Sequence, residues 1–380
     1  MGISWQQEAA DERPDPVTGA RISRLTSAPC INNNIYCEQP YGSPDGRRIA
    51  WVRVHTDPAA THQIYVADLD SMRITRIAGV TSGNNASWGD EFLYEGPGGS
   101  VMSFSLSTLQ HRVVLSQPPV DRVQLGSVSP DNRYVIYTRP LPGPTLGLEI
   151  LDLQEGSVRT LLEHPEITNP HLQFNPVHGR QIMVQHNVGS ELNRDGSAKW
   201  ESMGRGCTLF VVDVADGAVT PLPVGEPYTM RGTGHEAFVA DTGRVCFTVH
   251  WDWETLALDA RYPTGNLFTA APGDAAPTVF EAPEHRFNHV CVSRCGRYFL
   301  ADSYGQGLPG PVPLVVGNLE TGKYRSLIQD CQASCGAAQF THPHAYFTAD
   351  TRRVIYNADP HGIPHLHMAT IPDGFLASLD

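Results

Sequence analysis

The chain lacks a long hydrophobic run and an excess of positive charge. No apolar stretch in its 380 residues approaches the roughly 18 residues of a membrane-spanning helix, and no signal segment with basic and apolar regions opens it. We therefore expect a soluble, cytoplasmic protein, with a mature secreted form as the alternative. The formal net charge of -13 argues against a nucleic acid or an anionic membrane surface as partner, because either would need a basic face.

Helical periodicity and zinc-type cysteine pairs are also absent. Free Cys within a strand pattern behaves as a small hydrophobic residue, so we expect all eight cysteines to be structural thiols. Cys331 and Cys335 are the two that could form a loop disulfide in an oxidising compartment. The eight are Cys30, Cys37, Cys207, Cys246, Cys291, Cys295, Cys331 and Cys335.

What the sequence does contain is a repeat of short apolar strands around polar turns. A turn of the x-Asp-Gly type followed by an apolar strand recurs in six clear copies and in a weaker one at Ala86–Glu95. A second hairpin, recognised by alternating apolar residues, lies between successive copies. The clear copies are Tyr41–Arg53, Gly126–Arg139, Leu172–His186, Ala237–Trp251, His289–Asp302 and Ala345–Asn357.

Seven such units, each with four short strands, predict an all-β fold: a seven-bladed β-propeller with four antiparallel strands per blade. The 30 Pro and 35 Gly suit its many turns. We expect residues 1–380 to form this single domain. An N-terminal strand at about residues 17–27 resembles the outermost strand of a blade, and we expect it to close the ring with the last blade.

The innermost strands of a propeller line its channel and begin at one face, so register can place candidate site residues. Counting back seven or eight residues from the turn residue of five repeats reaches Gln39, His171, His235, His289 and His344. Four of these five positions are His, although the whole chain has only 16. The register therefore predicts a concave site with convergent imidazoles at one mouth of the channel.

The run QFTHPH at Gln339–His344 leads into the last of these strands. His342 and His344 are two residues apart, which in an extended strand places both side chains on one face. Because imidazole suits Zn, Mn, Fe or Ni, we expect His289, Gln339, His342 and His344 to bind a transition metal. The alternative for the His-Pro-His sequence is that it merely ends a strand.

No carboxylate belongs to this candidate ligand set, and the nearest acid in register is Glu236. Hydrolytic zinc sites usually include a carboxylate as ligand or base. A metal that binds a substrate carboxylate, with a separate His as base, suits proton abstraction next to an acidified carbonyl better than hydrolysis.

Further substrate contacts are expected around the same mouth. His171 is in register and His186 ends the second strand of its blade. Arg205 and Trp200 lie in the longest insertion, residues 187–206, where Arg could hold a carboxylate and Trp could stack on a sugar. A solvated loop with incidental charge is the alternative for this insertion.

Arg231, four residues before His235 at the same mouth, is the candidate for a second carboxylate clamp in the catalytic site. A guanidinium group can bind a carboxylate in a bidentate manner. The alternative is that Arg231 forms a surface ion pair.

Three motifs resemble those of a known family, the oligogalacturonate lyases, which are seven-bladed propellers. They are Gly234-His235-Glu236, His289 seven residues before Gly296, and Gln339-x-x-His342-x-His344. The resemblance covers nearly the whole chain in length and blade count. The chain departs from the family at Ala237-Phe238 and at His186-Asn187, positions that concern substrate contacts more than metal ligands.

The resemblance implies a lyase that cleaves short oligogalacturonides, such as digalacturonate, in pectin degradation. It implies Mn²⁺ held by His289, Gln339, His342 and His344, and His235 as the Brønsted base of a β-elimination. The implied partner is a small anionic oligosaccharide, bound by a monomer or a homodimer.

Two alternatives stay open at the level of sequence. One is a lyase of the same kind that acts on another uronate, such as glucuronate or an ulvan fragment. The other is a non-catalytic propeller of the translocation-associated type, which binds protein partners and shares the turn at Ser43–Gly46, although that turn suits any tight hairpin. A peptidase propeller would need an α/β-hydrolase domain, for which 380 residues leave no room.

Overall fold

The strands form a ring of seven antiparallel sheets. The structure, a computed structural model, describes residues 3–8, 12–34, 36–54, 62–80, 83–120, 125–193, 198–199, 206–305 and 309–380. Six of the sheets have four strands and one has five, and first strands of neighbouring blades contact one another around the axis. The predicted seven-bladed β-propeller is confirmed.

Each blade is a meander from its inner to its outer strand. Blade 1 comprises Ile31–Asn33, Arg48–Val54, His62–Asp68 and Arg73–Val80. Blade 2 comprises Gly83–Asn85, Glu91–Glu95, Val101–Ser105 and His111–Leu115. Blade 3 comprises Ser127–Val128, Tyr134–Leu141, Thr145–Asp152 and Ser157–His164. Blade 4 comprises Gln173–Phe174, Gln181–His186, Thr208–Asp213 and Val219–Pro221.

The remaining blades carry most of the candidate site. Blade 5 comprises Gly232–Phe238, Val245–Val249, Leu267–Ala270 and Thr278–Phe280. Blade 6 comprises Phe287–Val292, Tyr298–Ser303, Leu314–Asn318 and Tyr324–Ile328. Blade 7 comprises Tyr346–Phe347, Arg353–Ala358 and His365–Thr370, followed by the N-terminal strands Arg21–Arg24 and Glu12–Pro14.

The ring closes through the N-terminal strands. Arg21–Arg24 pairs antiparallel with His365–Thr370, and Glu12–Pro14 adds a fifth strand outside it. A small hairpin, Glu191–Leu192 with Ala198–Lys199, lies in the long insertion of blade 4. The 3-10 turns are Pro97–Gly99, Gln339–Thr341 and Leu376–Leu379.

The hydrophobic core is divided into layers between adjacent blades. Phe247 and Phe268 belong to the layer between blades 4 and 5, whereas Phe287 and Phe299 belong to the layer between blades 5 and 6. All eight cysteines are free thiols and six of them are buried, which agrees with structural thiols and leaves Cys331 and Cys335 unpaired. In the described part of the chain, no helix has the length and apolar character needed to cross a bilayer.

The channel is crossed by a segment that the repeat does not predict, here called the channel segment: Asn34 and Tyr36–Pro40. Its bonds reach several blades, as Cys37 Sγ contacts the carbonyl oxygen of Val290 at 3.6 Å and Gln39 Nε2 donates to Leu172 O at 3.0 Å. The amide of Trp88 donates to Pro40 O at 3.1 Å. These bonds fix the channel segment beneath the mouth where the candidate site residues lie.

Candidate metal centre and adjoining cavity

Three imidazoles converge at this mouth. One ring nitrogen from each of His289, His342 and His344 lies within 4.8 Å of the others. His289 comes from the first strand of blade 6, whereas His342 and His344 come from the stretch entering the first strand of blade 7. All three residues are buried, with relative exposures of 2%, 5% and 2%. The equivalent placement of inner strands in neighbouring blades therefore brings His289 next to His342 and His344, which lie much later in the chain.

Four of the six ring nitrogens in this cluster lack a hydrogen-bond partner within the described chain. Nε2 of His289, Nδ1 of His342 and both ring nitrogens of His344 are buried without a partner among the described residues. An unpartnered buried polar atom costs free energy. A transition-metal ion would use one such lone pair from each ring, so the donor set fits Mn²⁺, Zn²⁺ or a related ion.

Two of the rings are held by a bond from their other nitrogen. His289 Nδ1 lies 2.8 Å from Asp302 Oδ2, and the His289 amide donates to Asp302 Oδ1 at 2.8 Å. His342 Nε2 donates to the carbonyl of Gly336 at 2.7 Å. Partners of this kind select the tautomer and the ring orientation of metal-binding histidines. They leave Nε2 of His289 and Nδ1 of His342 as the available lone pairs.

The third ring is fixed through its backbone. His344 has φ 41°, a left-handed conformation that is costly for a residue with a side chain. Asn34 of the channel segment donates from Nδ2 to the His344 carbonyl at 3.0 Å, and its amide donates to Asn357 Oδ1 at 3.1 Å. Tyr36 packs its ring 4.6 Å from the His344 ring. The channel segment therefore supports this position.

Gln339 begins the 3-10 turn Gln339–Thr341, is exposed, and lines the same cavity as His289 and His342. Its side-chain oxygen is thus available to complete a ligand set with the three imidazoles. Burial, followed by the nearby imidazoles, lowers the pKa of His289 and of His344 well below the ordinary value. Neutral imidazole is the form that binds a metal.

His235 adjoins this cluster. Its ring centre lies 4.1 Å from that of His289, and its Nδ1 lies 3.1 Å from Thr233 Oγ1. Burial, then the charge that the neighbouring imidazoles would carry, lowers the pKa of His235 well below its usual value. The ring is therefore neutral near pH 7 and can accept a proton at Nε2, for which no hydrogen bond is seen within the described ranges.

A second cluster of titratable groups includes His171 of the cavity lining. His171 Nδ1 is 3.3 Å from Glu38 Oε1 and 3.8 Å from Glu236 Oε1. Burial alone would lower the pKa of His171, but the charge and hydrogen bond of Glu38 raise it to about 9. Burial and the adjacent Glu38 carboxylate raise the pKa of Glu236 to about 8.

The cavity at the mouth has a volume of about 330 Å³. It is lined by polar and aromatic groups from blades 4, 5 and 6, by Tyr36 from the channel segment, and by the turn that leads into blade 7. The lining comprises Tyr36, Thr168, Asn169, His171, Gln185, Asn187, Gly206, Cys207, Gly232, Thr233, Gly234, His235, His250, Trp253, Asn288, His289, Tyr304, Gln339 and His342. None of these described residues is Lys, Arg, Asp or Glu.

The other residues predicted from sequence are placed differently. His186 is absent from the described lining: its Nε2 lies 2.6 Å from Glu166 Oε2 and its Nδ1 lies 3.2 Å from Thr208 Oγ1. Arg231 is half-buried beside Gly206 at the rim and is likewise absent from the lining. Trp200 and Arg205 lie outside the described residues.

Sequence reasoning missed Tyr36, Glu38, Asp302 and Tyr304. Asp302 ends the repeat copy that begins with His289, so an acid on the neighbouring strand was the available signal. Tyr36 and Glu38 carry no such signal, because the channel segment departs from the repeat and only the folded chain brings it to the site.

The described structure is a seven-bladed propeller in which three buried histidines that could hold a metal ion lie beside His235 at one mouth of the channel. No family model matches the chain. An oligogalacturonate lyase of Dickeya dadantii is 22% identical over 94% of this chain and 95% of that protein. An oligogalacturonide lyase of Pectobacterium atrosepticum is 40% identical over 63 residues, 16% of each protein.

A solved structure described as oligogalacturonate lyase in complex with manganese superposes with a TM-score of 0.73 at 17% identity, covering 98% of this chain and 99% of that one. Together these comparisons confirm the resemblance to the oligogalacturonate lyases that the sequence motifs predict.

Proposed function

We propose that this protein is a metal-dependent lyase that cleaves short oligogalacturonides by β-elimination, with His235 as the base. The observation that carries the proposal is the convergence of three buried, unpartnered imidazole nitrogens next to a neutral His in one cavity. The similarity to oligogalacturonate lyases over nearly the whole chain supports the same reaction.

The chemical difficulty of this reaction lies in the first proton. The C5 proton of a uronate is weakly acidic, because the carbanion left behind is stabilised only through a carboxylate that is already negative. Positive charge fixed beside that carboxylate has the greatest effect as negative charge develops. Bound Mn²⁺, held by His289, Gln339, His342 and His344, would supply this charge as a Lewis acid.

His235 is suited to remove the proton. Its low pKa keeps the ring neutral, and Thr233 beside Nδ1 holds the ring so that Nε2 can act. After elimination, the protonated ring can return its proton to the departing oxygen or to water. The His289 ring centre lies 4.1 Å from that of His235, so the base adjoins the residues that would hold the metal.

The cavity suits a short anionic chain. Tyr36 of the channel segment lines the cavity, and the segment is bonded to two blades, so we expect a sugar chain to enter from the mouth. Trp253 and Tyr304 offer aromatic faces for sugar rings. His171 lies in the wall, and Arg231, which adjoins Gly206 of the lining, is a candidate to bind a second carboxylate.

Formation of an unsaturated product from digalacturonate and trigalacturonate by the Mn²⁺-loaded protein tests the proposal. His235→Ala should lower the rate by about 10² to 10⁴-fold, the usual loss for a positioned general base, while the metal content stays near one per chain. His171→Ala and His186→Ala serve as comparison variants.

A near-normal rate for His235→Ala together with an inactive comparison variant would reassign the base. Activity on glucuronate or ulvan fragments alone would change the substrate class. No product from any oligouronate would overturn the lyase proposal and favour a binding propeller.

A further inference from the structure

If the ligand is an anionic sugar, the described cavity wall needs a positively charged group to bind it. No Lys or Arg belongs to that lining. His289 and His342 of this lining are candidate metal ligands, and burial lowers the pKa of His250. His171 lies outside the three-histidine cluster and faces two buried carboxyl groups, Glu38 at 3.3 Å and Glu236 at 3.8 Å.

We propose that Glu38 holds His171 in its doubly protonated form, and that this imidazolium is the cationic group of the cavity wall that attracts a substrate carboxylate. The inference rests on the proposed function for the identity of the ligand. Its first half, the charge on His171, stands independently of any activity.

The geometry of the Glu38–His171 pair supports a charged ring. Glu38 is 3% exposed and His171 is 14% exposed at the side chain, with Oε1 and Nδ1 3.3 Å apart. A buried carboxylate is costly unless it is paired, and within the described chain His171 is the group that pairs with it. Glu38 also accepts the amide of Glu236 at 3.4 Å, which fixes the carboxylate in the channel segment.

Several groups face His171. Tyr36 packs against it edge to face at 5.1 Å, the Glu236 carboxyl group lies at 3.8 Å, and the Asn169 side-chain amide lies 3.1 Å from Nε2. A doubly protonated ring requires that this amide turn its oxygen toward Nε2. The carbonyl of Gly234 also accepts from the ring. The other imidazoles near this ring are the more distant His235, His289 and His344, and burial lowers the pKa of each.

The backbone of His171 adopts a left-handed conformation. Its φ is 43°, in the region that favours glycine and costs about 1–3 kcal/mol for other residues. The same region is occupied by His344 at φ 41°, on the other side of Tyr36. Two left-handed histidines therefore flank one aromatic ring at the site, one available to a metal and one charged by Glu38.

Glu236 is a second acidic residue beside the Glu38–His171 pair. Its Oε1 is buried and has no hydrogen-bond partner in the described chain, and its raised pKa of about 8 means that it is largely protonated near pH 7. Glu38 is therefore the counter-ion of His171, and it acts as a positioning residue because it reaches the ligand only through that ring.

The test uses Glu38→Gln, which keeps a hydrogen-bond acceptor for Nδ1 but removes the charge. Glu166→Gln is the matched control, because Glu166 pairs with His186 in the same way, at 2.6 Å, outside the described lining. Nitrogen-15 spectra of the imidazoles in the zinc-loaded proteins, assigned with His171→Asn, report the protonation state at about pH 7.5, one unit above the ordinary pKa of about 6.5 for His.

We expect His171 to be doubly protonated in the parent and in Glu166→Gln, and to carry one proton in Glu38→Gln. With digalacturonate and Mn²⁺, Glu38→Gln should raise KM by about tenfold, as expected for one lost charge near a carboxylate, with kcat changed less. A neutral His171 in the parent would overturn the proposal whatever the activity. So would an unchanged KM in a Glu38→Gln variant whose His171 has lost its charge.

Metal analysis supplies a further check. Two bound ions per chain would mean that a cation, rather than a proton on His171, balances Glu38 and Glu236, and would also overturn the inference. If the parent cleaves no oligouronate, the proposed function fails by itself; the imidazole spectra and the binding of galacturonate, followed through the His171 signal, then decide this proposal.

Discussion

Asp302 Oδ2 lies 2.8 Å from Nδ1 of His289, and both side chains are buried. This contact presents Nε2 of His289 to the position where the nitrogens of His342 and His344 converge. Burial raises the pKa of Asp302 to about 7, so this carboxyl group is partly protonated near neutral pH in the metal-free protein. A bound cation would favour the ionised carboxylate.

Asp302→Asn should therefore weaken Mn²⁺ binding by about 10 to 100-fold, the usual effect of losing a partner behind a metal ligand. The amide keeps the shape of the side chain but supplies no charge to the ring. Titration of the metal-free protein with Mn²⁺ measures the affinity, with Asp241→Asn on an exposed turn as the control. Equal affinities for both variants would show that Asp302 has no role in the metal centre.

His342→Ala and His344→Ala should each abolish stoichiometric metal binding and activity while leaving the propeller folded. The reason is that packing between blades stabilises the ring, whereas the ligands lie at its mouth. Metal content and circular dichroism are to be measured on the same samples, with exposed His361→Ala for comparison. Unfolding of both site variants would instead make the metal centre structural.

Stability of the metal-free protein should fall as pH rises from about 7 to 9. Glu236 has an ordinary pKa of 4.5 that is raised to about 8 in the fold, so the native state keeps a proton that the unfolded chain has released. Stabilisation of this kind is complete below the unfolded pKa and is lost as pH passes through the folded pKa. His171, raised to about 9, acts in the same direction.

Glu236→Gln should flatten this pH dependence, because an amide does not titrate. Thermal unfolding in the presence of a chelator, with exposed Glu163→Gln as the control, provides the measurement. A slope in Glu236→Gln as steep as in the parent would show that this carboxyl ionises normally.

Replacement of Tyr36 separates the effect of its ring from that of its hydroxyl. The ring packs 4.6 Å from His344 and 5.8 Å from His289, so Tyr36→Ala should weaken metal binding by about tenfold through loss of this support. Tyr36→Phe keeps the packing and should bind metal like the parent. The same Mn²⁺ titration distinguishes them, and a strong loss in Tyr36→Phe would mean that the hydroxyl is required.

The sequence alone determined the repeat, and with it the fold. Apolar residues alternate along short strands that are separated by turns at regular intervals. Blades whose strands pair with their sequence neighbours satisfy this pattern, so local features of the chain are enough to predict the fold. The same register predicted that His171, His235, His289 and His344 begin inner strands at one mouth, because equivalent positions of a repeat occupy equivalent positions in the ring.

Only the tertiary structure decided which polar groups complete the site. The channel segment departs from the repeat, and Tyr36 and Glu38 reach the histidines by crossing the channel, a path that no local pattern encodes. The sequence predicts both His171 and His186 as substrate contacts. In the structure, His171 is paired with Glu38 in the cavity wall, whereas His186 is paired with Glu166 outside the described lining. Charge and burial depend on partners distant in the chain, and these are fixed only when the ring closes.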